Sequence, residues 1–190
     1  MDTRTDTATP LTLRWEGLAS PSLEHLHVQT LAGGTIFDAV VVMQADSGQR
    51  GALRYRLHVD AAWRTRRLFI QEVGSACSIQ LQSDGHGRWT AEGGAPLPEL
   101  AGAIDVDLSV SPATNTLPIR RLDLAEGASA EIHVVHVGWP GLALSKAPQR
   151  YTRLAGGRHR FESLDADFRR DISVDADGFV LDYPDLFRRA

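Results

Sequence analysis

Two aspartates are the residues of this chain best suited to chemistry, and they lie in residues 104–122, IDVDLSVSPATNTLPIRRL. Asp105 and Asp107 alternate with aliphatic residues, which predicts a strand with both carboxylates on one face, about 7 Å apart. Paired carboxylates can act as acid and base on a sugar, and retaining glycosidases hold theirs about 5–5.5 Å apart. Neighbouring carboxylates on one half-exposed strand are more typical of a solvated face or of ion pairs. A hydrolase or isomerase that acts on a sugar-like molecule through Asp105 and Asp107 is therefore only an alternative.

Polar groups that could hold a ligand follow the two aspartates. Asn115 lies between two prolines in the polar run ATNT, a predicted turn whose short side chains can bond their own backbone. Arg120 and Arg121 begin the next apolar run, and on a strand they would point to opposite faces, so only one could bind a given anion. Arg64 belongs to a period-two arginine pair that could form a basic patch, with ordinary surface charge as the alternative. The pattern predicts polar ligand contacts at Asp105, Asp107, Asn115, Arg120 and Arg64.

Large amphipathic side chains are the second class of candidate contacts. The chain has four tryptophans and three tyrosines, and in most β proteins such residues fill the core. In a half-open sheet some of them line the concave face, where acyl chains or sugar rings can stack on them. Trp63 and Tyr151 are predicted to be contacts of this kind.

The sequence predicts no catalytic residue, no metal site and no cofactor. His25 and His27 share a strand face, but no third ligand accompanies them, and metal sites of this type need three or more. Residues 175–178, DADG, resemble the start of a calcium loop, yet the later acceptors are missing and a hairpin turn is the better interpretation. No Gly-rich phosphate loop, G-x-S-x-G motif or C-x-x-C motif occurs.

Length and composition limit the classes of protein that remain. A net charge of −4 over 190 residues argues against nonspecific binding to nucleic acid or to an anionic membrane. No run approaches the ~20 apolar residues that cross a bilayer, and the N-terminus lacks the basic start and apolar core of an export signal. We therefore predict a cytoplasmic protein without stable membrane insertion. Residues 1–10 are predicted to form a loose tail, and residues 11–190 a single β-roll domain.

The turns predict the fold. About a dozen candidate strands alternate with turns at a spacing of roughly 8–12 residues, which is typical of a mainly β protein. No longer segment shows a clean 3.6-residue period, so little helix is expected, with one helical turn assigned to residues 184–189. A sheet this long must curl. The prediction is a single curled antiparallel sheet, a β-roll or half-open barrel with a concave apolar interior.

Three stretches resemble a bacterial family described as "putative glycolipid-binding", formerly a domain of unknown function. They are SPATNTLPIRRL at 111–122, WPGLALSKAPQRYTR at 139–153 and VDADGFVLDYPDLFRR at 174–189, and the likeness covers most of the chain in order. The resemblance implies a rolled β-sheet similar in shape to the carriers that move lipoproteins across the periplasm. It also implies a glycolipid or another lipid-like ligand.

The preferred hypothesis is a non-catalytic protein that binds an amphiphile in the concave face of the roll. An apolar interior would hold the lipid chain, and the polar contacts named above would hold the head group. Two alternatives remain: the sugar-directed enzyme, and a cytoplasmic protein-interaction module that pairs through exposed strand edges.

Overall fold

One sheet of fourteen strands organises the protein in the computed structural model, which describes residues 10–45 and 47–190. The strands are β1 (Leu11–Gly17), β2 (Ser22–Leu31), β3 (Gly34–Gln44), β4 (Arg50–Asp60), β5 (Thr65–Glu72), β6 (Ser78–Ser83), β7 (Trp89–Ala91), β8 (Asp105–Leu108), β9 (Ser129–Gly138), β10 (Ala143–Leu154), β11 (Arg158–Ser163), β12 (Arg169–Val174), β13 (Val180–Tyr183) and β14 (Phe187–Arg189). In this sheet β1 lies between β2 and β14; β2 to β7 continue outward on one side and β13 to β8 on the other. The prediction of a mainly β, curled sheet is confirmed.

The pairing of β1 with β14 joins the two halves of the sheet. Trp15 lies opposite Arg189, and Gly17 lies opposite Phe187. The helical turn predicted at residues 184–189 is wrong, because this segment forms a tight turn and then β14, which pairs with β13. Pro-Asp at the turn, with Asp185 at a φ of 66°, suits a hairpin better than a helix.

A helix replaces the polar turn and strand predicted at residues 112–122. A 3-10 turn at Pro112–Asn115 leads into helix α1, Thr116–Leu122. The Ser111 hydroxyl accepts a hydrogen bond from the backbone N–H of Ala113, and Pro112 occupies a first-turn position that needs no N–H donor. A helix this short is not stable alone, so tertiary packing maintains it. That dependence explains why hydrophobic periodicity did not reveal it.

The helix connects two strands that run in the same direction. β8 and β9 are parallel, with Asp105 opposite Val134 and Leu108 opposite Val137, while the other described strand pairs are antiparallel. Parallel neighbours require a crossover connection, which α1 supplies. The sheet is therefore mixed at this edge.

The centre of the roll is filled with side chains. Residues 111–119 are buried throughout. Leu117 packs into the main core with Trp15, and Ile119 packs into a second core with Phe161. The expected open interior is therefore wrong for the middle of the roll, because a helix occupies it. The cavities described below lie at the rim.

Two predictions made from the sequence are not tested by the residues that the structure describes. Residues 1–9 lie outside them, so a loose tail at residues 1–10 and a single domain at 11–190 stay predictions. In the described part of the chain, no helix combines the length and the hydrophobicity needed to cross a bilayer.

Glu24 places a carboxylate inside the main core. Its side chain is 2% exposed and accepts hydrogen bonds from the hydroxyls of Tyr55, at 2.6 Å, and Ser111, at 2.8 Å. These contacts link β2 and β4 to the segment that leads into α1. Burial raises the pKa of Glu24 from its usual 4.5 to about 7, although the two hydroxyls oppose the rise.

The Glu24→Gln variant isolates the effect of this carboxylate on stability. Between pH 4.5 and 7 the folded state binds the Glu24 proton more tightly than the unfolded chain does, so this group lowers stability as the pH rises. Glutamine keeps the side-chain shape and does not ionise. We expect the free energy of unfolding of the variant, relative to the wild type, to rise by roughly 3 kcal/mol across this window and then to level off.

Urea unfolding below pH 4.5 and above pH 7 measures this difference. Glu16→Gln, on the exposed face of β1, is the matched control, since it removes a carboxylate that does not lie in the core. A difference between the wild type and Glu24→Gln that does not change with pH would contradict the expectation.

Candidate functional site

A tryptophan and an arginine meet at one rim of the roll. Trp63 lies in the loop between β4 and β5, and the guanidinium carbon of Arg120, on α1, lies 4.8 Å from the centroid of its ring. This is the geometry of a cation–π contact. The Nη1 atom of Arg120 also donates a hydrogen bond to the backbone carbonyl of Asp177, at 3.3 Å. The contact therefore joins the loop, the helix and the turn before β13.

The backbone at Trp63 adopts a conformation that bulky residues rarely adopt, with a φ of 60°. Asp60 closes the loop, since its Oδ1 accepts hydrogen bonds from the backbone N–H groups of Ala62 and Arg64, both at 3.0 Å. The Trp63 ring packs edge-on against Phe37, with 6.3 Å between the ring centroids. Such conformations persist where the surroundings impose them, and they cluster at functional sites.

One cavity opens on the side of the contact where β1 and β3 begin and β2 and β4 end, and we call it the apolar lobe. Its volume is about 370 Å³. Its lining includes the apolar side chains of Leu11, Val28, Leu31, Trp63 and Phe179, together with the polar residues Thr30, Thr35, Asp60, Arg120 and Asp177. Leu11 and Leu31 are partly exposed here, so the lobe offers apolar surface that a hydrocarbon chain could cover.

A second cavity opens on the other side of the contact, and we call it the polar lobe. Its volume is about 450 Å³. Its lining includes Trp63, Arg120, Asp123, Arg153, His159 and Asp175. Both cavities share Trp63 and Arg120, and we refer to the two lobes together as the mouth groove.

Several residues of the mouth groove were not predicted as ligand contacts from the sequence, among them Leu31, Arg153 and His159. A signal existed for His159, because it alternates with Phe161 in RHRF, and a period of two places both side chains on one face of β11. The sequence could not show that α1 and the loop containing Trp63 lie close to that face. The approach of these distant segments creates the groove.

The residues predicted to contact a ligand form two groups in the structure: some line the mouth groove and the others do not. Trp63 and Arg120 line the mouth groove. Arg64 lines neither lobe, and its Nη1 lies 3.2 Å from Nε2 of His86 in the turn between β6 and β7. The remaining predicted contacts line neither lobe and lie around α1: Asp105, Asp107, Asn115 and Tyr151.

Asp105 is fully buried, so of the two ordinary interpretations the solvated face is wrong for it and the ion pair is confirmed. The guanidinium of Arg121 binds it with two hydrogen bonds, from Nε to Oδ1 at 3.0 Å and from Nη2 to Oδ2 at 2.6 Å. Burial raises the pKa of Asp105, and Arg121 opposes the rise. Arg120 and Arg121 diverge as expected, although on a helix: Arg121 binds the buried carboxylate and Arg120 contacts Trp63.

Two further contacts involve β10: one joins it to β8, and the other joins it to the segment that leads into α1. Asp107 is half-buried and accepts a hydrogen bond from Nε2 of Gln149, at 2.7 Å, and burial raises its pKa. The Oδ1 atom of Asn115 accepts a hydrogen bond from the Tyr151 hydroxyl, at 2.9 Å, while its Nδ2 donates to the carbonyl of Pro112, at 3.2 Å. The contact between Asn115 and Tyr151 therefore anchors the start of α1 to β10, while Asp107 and Gln149 join β10 to β8.

Comparison with known proteins places this arrangement in a family. Residues 12–189 match the profile of the family described as "Putative glycolipid-binding". The chain belongs to this family. It is also similar to the 1.80 Å crystal structure of a DUF1089 family protein from Pseudomonas aeruginosa, with 35% sequence identity and a TM-score of 0.81 over 89% of this chain and 92% of that chain. No curated protein matches the chain.

The resemblance inferred from the sequence is thereby confirmed. In this member of the "Putative glycolipid-binding" family, each stretch that carried the resemblance supplies a residue of the mouth groove. Residues 111–122 supply Arg120, the stretch 139–153 supplies Arg153, and the stretch 174–189 supplies Phe179.

The Asn115→Ala variant tests whether this side chain holds the helical segment. We expect it to lower the free energy of unfolding by about 1–3 kcal/mol, because it leaves the buried Tyr151 hydroxyl and the Pro112 carbonyl without their partner. Thermal and urea unfolding measure the loss. Tyr151→Phe should cost less in the Asn115→Ala background than in the wild type, since the hydroxyl has then already lost its acceptor. An unchanged midpoint for Asn115→Ala would show that the residue is not structural.

Proposed function

We propose that this family member binds an amphiphile, a glycolipid or another lipid, in the mouth groove. The observation that carries the proposal is the division of the groove into an apolar lobe and a polar lobe, which share Trp63 and Arg120. A molecule with a hydrocarbon chain and a polar head requires both kinds of surface side by side. The description of the family, which names a glycolipid, supports the same class of ligand.

The apolar lobe is suited to the hydrocarbon chain. Its volume of about 370 Å³ is within the range of small-molecule sites, roughly 300–1,000 Å³. A chain in this lobe would cover Leu11 and Leu31 and would contact Phe179, which gains about 25 cal/mol per Å² of apolar area removed from water. The filled centre of the roll confines the chain to the rim.

The polar lobe is suited to the head group. Arg120 and Arg153 offer guanidinium donors, and His159 offers a ring that can donate and accept. Asp123 offers a carboxylate acceptor, so sugar hydroxyls would find both donors and acceptors. Trp63 lies between the lobes, where its ring can contact the point at which chain and head join.

The predicted contacts take different roles in this proposal. Trp63 and Arg120 contact the ligand directly. Asp105, Asn115 and Tyr151 act as positioning residues, because they hold α1 and thereby Arg120, and Asp107 joins β8 to β10 beneath them. Arg64 is left outside the groove with His86.

The positions of the two aspartates do not support the enzymatic alternative. Asp105 and Asp107 line neither lobe, and Asp105 is neutralised by Arg121. Within residues 10–45 and 47–190, no three His, Cys, Asp or Glu side chains are grouped in a way that would hold a metal ion.

The interaction-module alternative gains no support at the sheet edges. Along the outer edge of β7, the N–H of Ala91 donates to the carbonyl of Ala95, at 2.8 Å, and the N–H of Leu97 donates to that of Trp89, at 2.9 Å. On β8, the Thr114 hydroxyl accepts a hydrogen bond from the N–H of Leu108, at 3.2 Å. The chain therefore caps its own edges at these points, which reduces their capacity to pair with a partner strand.

Two leucines on β2 provide a matched test. Leu31 and Leu23 are 40% and 42% exposed, and only Leu31 lines the groove. We expect Leu31→Asn to weaken the binding of n-dodecyl-β-D-maltoside about fivefold, or ~1 kcal/mol, because it removes apolar contact with the chain. Leu23→Asn should leave the affinity unchanged. Isothermal titration calorimetry, below the critical micelle concentration of the probe, measures both.

Shorter maltosides provide a second readout. If the chain is buried, each methylene added between the octyl and dodecyl probes should strengthen binding by about 0.8 kcal/mol until the lobe is full. Affinities independent of chain length, or equal effects of Leu31→Asn and Leu23→Asn, would contradict binding in the apolar lobe.

A further inference from the structure

His159 is the least satisfied polar side chain of the polar lobe. It is 1% exposed, and neither Nδ1 nor Nε2 has a hydrogen-bond partner among the described residues. Its ring nevertheless lines the cavity. Buried polar groups are nearly always hydrogen-bonded, and leaving one unpaired costs free energy. A ligand group in the polar lobe would supply the partner that the protein does not.

Two arginines of the same lobe also lack carboxylate partners. Within residues 10–45 and 47–190, the guanidinium of Arg153 makes no ion pair or hydrogen bond, and the polar contact of Arg120 is the carbonyl of Asp177. By contrast, Arg150, on the same strand as Arg153, pairs with Glu131 at 2.6 Å, and Arg160, on β11, pairs with Asp171 at 2.7 Å. The polar lobe therefore holds two guanidinium groups without carboxylate partners beside the unpaired His159 ring, while other arginines without a described ion pair, such as Arg56, Arg67 and Arg158, lie outside it.

The acidic residues of the lobe do not cancel this charge. The Asp175 carboxylate is occupied, since Oδ2 accepts a hydrogen bond from Nη1 of Arg189, at 2.6 Å, and Oδ1 accepts from the backbone N–H groups of Asp177 and Phe179. Asp123 is exposed, at the end of α1, and makes no ion pair with a described residue. It remains available as an acceptor for a hydroxyl.

We propose that the polar lobe binds an oxyanion, the phosphate or carboxylate of an acidic head group, through Arg120, Arg153 and His159. This inference rests on the proposed amphiphile binding, which it makes specific. Guanidinium groups match phosphate and carboxylate oxygens with paired N–H donors, and the imidazole adds an N–H donor from inside the lobe. A hydroxyl next to the anion would find the second imidazole nitrogen or Asp123 as its acceptor.

The protonation of His159 fits this role. Burial and the neighbouring Arg153 lower the pKa of His159 from 6.5 to about 4, so the ring is neutral at neutral pH. A neutral ring carries one N–H donor and one acceptor. It can therefore bind an anion with one nitrogen and accept a hydrogen bond from a hydroxyl with the other.

Three probes and three variants test the proposal. Isothermal titration calorimetry of the full chain, in a buffer free of phosphate, compares n-dodecyl phosphate, n-dodecyl-β-D-maltoside and inorganic phosphate. The variants are Arg153→Gln, His159→Phe and the control Arg158→Gln, which removes a charge from an exposed position on the same hairpin, outside the lobe. The selectivity, defined as the ratio of the dodecyl phosphate affinity to the maltoside affinity, is the quantity compared.

We expect the wild type to prefer dodecyl phosphate at least tenfold. Arg153→Gln and His159→Phe should each reduce the selectivity about tenfold, because each variant removes one charge-assisted hydrogen bond to the phosphate. Arg158→Gln should leave the selectivity unchanged. His159→Phe should also raise the thermal midpoint, because it removes two buried nitrogens without partners, and in the wild type the phosphate probe should shift the ¹⁵N resonances of the His159 ring. The shift of the ring resonances is the discriminating result, because a histidine that does not contact the anion would not show it.

The outcomes separate this inference from the proposed function. If both alkyl probes bind equally well, or if Arg153→Gln and Arg158→Gln reduce the selectivity alike, the oxyanion site is wrong while amphiphile binding stands. If inorganic phosphate binds with the same dependence on Arg153 and His159 but neither alkyl probe binds, the oxyanion site stands and the amphiphile proposal is wrong. Inorganic phosphate that binds as tightly as dodecyl phosphate would identify a free anion as the occupant. Failure of all three probes would overturn both.

Discussion

The salt bridge between Asp105 and Arg121 is the interaction on which the rest of the site depends. Both charges lie inside the fold, with side chains 0% and 15% exposed, and their oxygen and nitrogen approach to 2.6 Å. Removing one partner of such a pair leaves an uncompensated buried charge, which typically costs about 3–5 kcal/mol. The pair fixes the rotation of α1 about its axis. Because consecutive helical residues are offset by about 100°, fixing Arg121 also directs Arg120 to the rim and to Trp63.

The same helix determines where a ligand can bind. Its side chains fill the centre of the roll, which leaves no space there for a long hydrocarbon chain. The proposed binding groove lies instead at the rim, where α1, the loop between β4 and β5, and the turn before β13 approach one another. The groove at that rim is assembled from loops and helix ends on a rigid sheet, which is the usual relation between function and scaffold.

The sequence predicts the sheet well and the site only in part. Alternating apolar residues and Gly-rich turns are local signals, and they correctly indicate a mainly β, curled architecture. The helix at residues 116–122 could not be found this way, because its stability comes from Asp105, Tyr151 and the cores around it. Ser111 followed by Pro112 is the local signal that could have indicated a helix start, since both residue types are favoured there.

Trp63 and Arg120 were selected individually from their chemical types, and the structure brings them together. The contact between them depends on segments more than fifty residues apart in the chain, which no local pattern encodes. The alternation of His159 with Phe161 could have predicted that the His159 side chain is buried. Its lack of a hydrogen-bond partner is visible only in three dimensions.

The pairing of β1 with β14 affects how the newly synthesised chain folds. Each half of the sheet consists mostly of strands that pair with their sequence neighbours, so each half can assemble as it leaves the ribosome. One edge of β1 stays unpaired until Phe187–Arg189 are synthesised, more than 150 residues later in the chain. During that interval an unpaired strand at the middle of the final sheet is open to other chains. Newly made protein is therefore most vulnerable to aggregation just before its last strand emerges.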